Sequence, residues 1–170
     1  MRAPDPESWL HPDVAVRPST IAGRGLFAAA PIPARTVVSR LGGRLVGTAE
    51  LRELIDASDD YVDTIVVAED THLVLAPGAD NRFGNHGCDP NLGFADEYSL
   101  VTMRDVDVDE ELLTDYAMST VDPDYYLRCH CPSYRCRQMV EGSDWRIPQL
   151  QQRYAGHWAP AVQRLIDAQG

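Results

Sequence analysis

The chain has 170 residues, 44% of them hydrophobic and 24% charged, with a formal net charge of −11. That length supports one domain with a real core plus short appendages, and the mix excludes fibrous, disordered and membrane-spanning classes. A surface so acidic repels nucleic acid and membrane headgroups and favours a basic partner such as an Arg/Lys-rich peptide, although it also serves plain solubility. The opening MRAPDPESWLHPD is neither a signal peptide nor a transit peptide, so a cytoplasmic, intracellular setting is expected.

The first dozen residues are Pro-rich and would be ordered only by docking onto the rest, giving a leader over 1–13. From Val14 to Tyr116 most signals are short strands. VAVRPS, RGLFAAA and RTVVSRL are apolar or alternating runs bounded by Gly and Pro, and LGGRLV is a turn at Gly42-Gly43 followed by a strand. TAELRELIDA predicts a helix with Leu51, Leu54 and Ile55 on one face. YVDTIVVAEDTHLVLA predicts a hairpin turning at Glu69-Asp70, and YSLVTMRDV and ELLTDYA two further strands. Beyond Asp122, DPDYYLR carries a helix-start signature, Asp then Pro. SDWRIPQLQQRYAG and APAVQRLIDAQ predict tail helices, each with Pro near its first turn and the former stopped by Gly156. Many short strands with few helices give a mixed, β-dominated domain over 14–128, a cysteine segment over 129–140 and a helical tail over 141–170.

Only four cysteines occur: Cys129, Cys131 and Cys136 in the C-x-C-x4-C of CHCPSYRC, and Cys88 some forty residues earlier in NHGCDPN. In a reducing compartment such a cluster points to a metal rather than to disulfides, and structural zinc takes four soft ligands in a closed tetrahedron. Cys88 supplies the fourth. His130 could compete, but both its neighbours would already be ligands. Buried reduced thiols are the alternative.

RFGNHGCDPN, EELLTDY, AGRGLFA and CHCPSYRC together resemble the SET-domain protein lysine methyltransferases with their zinc-binding post-SET segment, in the family's order from Ile21 to Cys136. The resemblance implies a SET-domain (β-clip) fold, in which the central motif and the tyrosine strand cross in a knot-like core. It further implies S-adenosyl-L-methionine as methyl donor and a lysine ε-amine as acceptor, the two entering from opposite faces and meeting in a narrow channel. Tyr116 becomes the catalytic residue; Arg24, Gly25, Leu26, Arg82, Phe83, Asn85 and His86 the cofactor-binding set; and Tyr61, Phe94, Thr114, Met139 and Trp145 the lining of the substrate channel. Cys88, Cys129, Cys131 and Cys136 hold one structural zinc ion. The implied partner is a basic, lysine-containing protein or peptide. A small-molecule amine as acceptor, and an idle module that only binds a partner, stand as alternatives.

Each residue also has a plainer reading. Tyr116 on spacing alone is a core tyrosine with a satisfied hydroxyl, Asn85 and His86 a satisfied buried pair, and Phe83 ordinary core. Asp115 is read as structural. The chain departs from the family in three places: Gly87 where Ser is common, Thr114 where Phe or Tyr is common, and no aromatic just after Cys136. The small Thr114 leaves room for more than one methyl, and Met139 or Trp145 stands in for the missing aromatic. All fifteen basic residues are Arg, as a GC-rich bacterial genome would give; an enzyme acting on lysine would then carry no lysine of its own.

Overall fold

The computed structural model describes residues 3–169. The first strands are β1 (Trp9–Leu10), β2 (Val14–Pro18), β3 (Arg24–Ala28), β4 (Val37–Arg40) and β5 (Gly43–Val46), followed by helix α1 (Thr48–Ala57). A hairpin of β6 (Thr64–Ala68) and β7 (Thr71–Leu75) turns at Glu69-Asp70, as the alternating pattern predicts. Then come β8 (Asn85–His86), β9 (Leu92–Phe94), β10 (Ser99–Thr102) and β11 (Glu111–Thr114). β12 (Tyr126–Arg128), β13 (Met139–Glu141), α2 (Pro148–Arg153) and α3 (Pro160–Asp167) complete the chain. The expected strand-rich class is therefore observed, and no helix among the described residues is long and apolar enough to cross a membrane.

The strands form sheets ordered β1-β4-β10-β9, β2-β3-β11-β8, β5-β7-β6 and β12-β13. The second sheet positions the site. β11 pairs with β3 in the antiparallel sense and with β8 in the parallel sense, Leu113 opposite Asn85 and Thr114 opposite His86. A parallel pair cannot be joined by a tight turn. The intervening chain leaves through β9 and β10 and returns, which lays the NHGCDPN and ELLTDY segments side by side. Asn91 fixes the crossing: its amide nitrogen donates to Glu111 O (2.8 Å), and its Oδ1 accepts from Leu113 N (2.8 Å).

The core is one continuous cluster running from Leu26, Val38 and Leu73 to Leu112, Met118, Tyr154 and Trp158. A smaller cluster holds Cys88, Cys129, Cys131 and Val140. The leader docks as an edge strand, Trp9 opposite Arg40 and Leu10 opposite Ser39.

Two local expectations need correction. DPDYYLR starts no helix: Asp122 accepts from Asp124 N and Tyr125 N in a turn, and pairing with β13 then extends the chain as β12. By contrast α1 covers the whole TAELRELIDA run as expected, with Leu51 buried and Ile55 48% exposed at the end of the same face. SDWRIPQLQQRYAG is not one helix. Pro148 bars Ile147 from the helical region (ψ 114°), so a 3₁₀ turn at Asp144–Arg146 is followed by a separate α2.

Gly43 illustrates how closely the strands approach. It sits at φ +147°, and a Cβ there would lie 2.0 Å from Val74 O on the paired strand. Gly43→Ala is expected to cost about 1–3 kcal/mol of stability. The shift should appear in the denaturant midpoint with an unchanged slope.

Candidate active site

Two clefts open on either side of Tyr116. One is lined by Tyr61, Asp63, Thr64, Arg82, Phe94 and Thr114, the other by Ile21, Ala22, Asn85, His86, Tyr125 and Leu127, and Tyr116 and Tyr61 belong to both. The Tyr116 hydroxyl donates to Gly84 O at 2.8 Å. With its one proton committed there, its lone pairs are left as acceptors. Desolvation raises its pKa far above the ordinary tyrosine value, so it stays a phenol at any relevant pH.

Asn85 and His86 enter from β8. The Asn85 amide nitrogen reaches Ala22 O (3.2 Å), Arg24 O (3.0 Å) and Glu111 Oε1 (2.8 Å), tying the Gly23–Gly25 loop to the strand. Gly25 has no room for a side chain: a Cβ would stand 2.1 Å from Glu111 Oε1. His86 is buried, and its Nδ1 accepts from Tyr116 N at 3.2 Å. That bond places the ring proton on Nε2, which lies 3.3 Å from Cys88 Sγ and donates to it. Burial, only partly offset by Asp115, pushes the imidazole down to about 4, so the ring is neutral at pH 7. One ring thus joins the Tyr116 backbone to the cysteine cluster.

The sulfurs of Cys88, Cys129, Cys131 and Cys136 all lie within 4.8 Å of one another. A tetrahedron with metal–sulfur bonds of about 2.3 Å needs such a spacing. Backbone N–H groups aim at these sulfurs, Arg137 N at Cys88 Sγ (3.3 Å) and Cys131 N at Cys129 Sγ (3.4 Å), as suits thiolates carrying negative charge. The four residues brought together by the fold are the four expected from sequence, and they could hold zinc.

Beneath Tyr116, the Asp115 carboxylate is 0% exposed. Arg137 grips it with two bonds, of 2.6 and 2.7 Å, while the Tyr154 hydroxyl (2.8 Å) and Ala117 N (3.1 Å) donate as well. Arg137 Nε also reaches Asp144 Oδ2 at 2.9 Å. The residue after the last cysteine and the end of α2 therefore fasten the loop that carries Tyr116.

The remaining sequence candidates are distributed unevenly. Phe94, Thr114 and Tyr61 line the first cleft, but so does Arg82, which was expected on the cofactor side. Leu26 is core, 2% exposed; its neighbour Arg24 stacks on Phe83 with the guanidinium carbon 4.2 Å from the ring centre. Trp145 is buried in the main core and Met139 is an exposed residue of β13, so neither stands among the residues lining the clefts. Gly87 has a local reason: Leu113 leans in so that a Cβ would meet its Cδ1 at 2.8 Å. Arg137, Tyr154, Glu111 and Asp63 were missed. Glu111 lies within the quoted EELLTDY motif and Arg137 directly follows a cysteine, but no local pattern marks Tyr154 or Asp63.

Comparison with known proteins places the chain in a family and a fold. The family model described as SET domain matches residues 23–117. A Caenorhabditis briggsae protein named "Probable histone-lysine N-methyltransferase set-23" is 31% identical over 135 residues, 69% of this chain and 56% of its own length. Human histone-lysine N-methyltransferase 2D is 27% identical over 133 residues, 72% of this chain but 2% of its own length. The chain therefore spans about half of the first relative and a small part of the second. The solved methyltransferase domain of human histone-lysine N-methyltransferase SETMAR shares the fold, with TM-score 0.62, 22% identity, and 78% of this chain and 58% of that one covered.

Removing Arg137 would leave the Asp115 charge buried and unpaired. Arg137→Ala is expected to destabilise by about 3–5 kcal/mol. Asp115→Asn in the same background should recover part of that loss, and denaturant unfolding of the two singles and the double measures the coupling.

Proposed function

The chain belongs to the SET domain family, and on that premise we propose that it is a protein lysine N-methyltransferase using S-adenosyl-L-methionine. The observation that carries the reading is the position of Tyr116 in the wall shared by two clefts. The cleft with Asn85 and His86 suits the cofactor, and the cleft with Phe94 and Thr114 suits the lysine chain. Bound S-adenosylmethionine supplies an electrophilic methyl on a sulfonium.

The protein's share of the reaction is alignment and exclusion of water. A lysine amine, with an ordinary pKa near ~10.4, must shed its proton before it can attack. Burial between Phe94 and Leu100 favours the neutral amine. The Tyr116 lone pairs, directed by its bond to Gly84 O, accept weak C–H bonds from the polarised methyl and hold the amine in line. His86 keeps the Tyr116 backbone in place, and Asn85 closes the Gly23–Gly25 loop over the cofactor.

Cys88, Cys129, Cys131 and Cys136 would hold one zinc ion, whose role is to fasten the 129–140 segment against the cofactor cleft that Leu127 and Arg128 help to line. The acidic surface fits a basic protein or peptide substrate in a bacterial cytoplasm, with no part played by nucleic acid.

Incubation with methyl-labelled cofactor and a cell lysate tests the reading. A labelled protein band is expected, carrying more than one methyl per lysine by mass because Thr114 leaves space, and Tyr116→Phe should lower transfer at least about a hundred-fold. Label confined to small molecules, or cofactor binding with no transfer at all, would refute it. Cys88→Ser and Cys131→Ser are each expected to lose both zinc and activity; full zinc retention in both would rule out the metal site.

A further inference from the structure

Resting on the lysine reading above, we infer that Asp63, with Thr64 and Tyr61, forms a cation-receiving station in the acceptor cleft. It takes the lysine as its ammonium before the proton is lost. The residues enter where the chain runs into β6, and all three line the cleft that Phe94, Thr114 and Tyr116 share. A lysine channel needs little more than apolar walls and a hydroxyl, so a carboxylate there calls for a partner.

The partners in place do not satisfy it. The Asp63 side chain is 23% exposed, and among the described residues its ion pair is a single one with Arg82 Nε at 3.4 Å, on a guanidinium 41% exposed. Such a pair is weak and readily displaced. Beside it, Thr64 Oγ1 is buried and has no hydrogen-bond partner. An ammonium brings three donors. Asp63, Thr64 and Tyr61 line one cleft and each carries an oxygen able to accept, the Thr64 hydroxyl being reached once that side chain turns. Asp63 is also near enough to help raise the pKa of both Tyr61 and Tyr116, although burial is the larger cause for each.

The charges bearing on the cleft are Asp63 and Arg82, while the titratable hydroxyls facing them, Tyr61 and Tyr116, stay protonated and neutral. A carboxylate beside the amine favours its charged form, so it aids capture but raises the pH at which the amine becomes free. The proton leaves to water. The nitrogen lone pair then forms the N–C bond as the C–S bond breaks, with its electrons kept by sulfur. As nitrogen gains positive charge, the same carboxylate stabilises it. The station also selects: a neutral amide side chain such as Gln brings no charge to it.

Asp63→Asn keeps the shape and removes the charge. With a lysine peptide, KM is expected to rise about ten-fold, while KM for S-adenosylmethionine stays unchanged. The rising limb of kcat against pH should move to lower pH, because the bound amine loses its proton more easily. An unchanged peptide KM and an unmoved pH limb would overturn the inference. Calorimetric binding of n-butylammonium reads the station without catalysis: about ten-fold weaker in Asp63→Asn supports it, and equal binding overturns it. Wild type that binds n-butylammonium but methylates no lysine would overturn the parent reading alone.

Discussion

A carboxylate with no access to water governs this structure. Asp115 lies at the end of β11, next to Tyr116, where a carboxylate shut off from water needs strong hydrogen-bonding partners. The compensation comes from far along the chain: two bonds from Arg137 and one from Tyr154. An isolated ion pair of this kind is weak evidence for stability, since an apolar replacement could be as stable. Its worth is in register. An Arg fork gripping a carboxylate fixes position and direction together, so the loop bearing Tyr116 is set by the segment after Cys136 and by the end of α2.

The NHGCDPN segment obeys a second constraint, that of serving two neighbours at once. Asn85 and His86 line the second cleft beside Tyr116, while Cys88, two residues on, belongs to the cysteine cluster. His86 links them, accepting from the Tyr116 backbone on one nitrogen and donating to Cys88 on the other. Neutrality of the ring is what permits both roles. A protonated ring could not accept from Tyr116 N, and burial keeps it from being protonated. Asn91 then holds the end of the segment to one edge of β11, donating to Glu111 O and accepting from Leu113 N.

Much of this was legible in the sequence, and for physical reasons. The hairpin at Glu69-Asp70 and the strands flanking it carry their period in the side chains. The cysteines announce themselves by rarity and spacing, and the fold brings together the four that were expected. What stayed hidden depends on partners distant in the chain. β12 reads as a helix start until β13 is present to pair with it. Trp145 looks available for a channel, yet the tail folds it into the core with Tyr154 and Trp158. Arg82 sits three residues from Asn85 but faces the opposite cleft, because the short 3₁₀ turn at Asp80–Phe83 rotates it away. Asp115, read as structural, is so, but the sequence names none of its three partners.

The clasp on Asp115 also orders events in time. A ribosome delivers the chain from its N-terminus, and residues up to Tyr116 emerge bearing every motif of the two clefts except those near residue 125. At that stage Asp115 has neither Arg137 nor Tyr154, and the cluster has one cysteine of four. The nascent chain is thus held short of a fixed Tyr116 loop until a further stretch, reaching Tyr154, has been made. The clasp closes only with the tail, so an interrupted translation product would carry the motifs without the geometry.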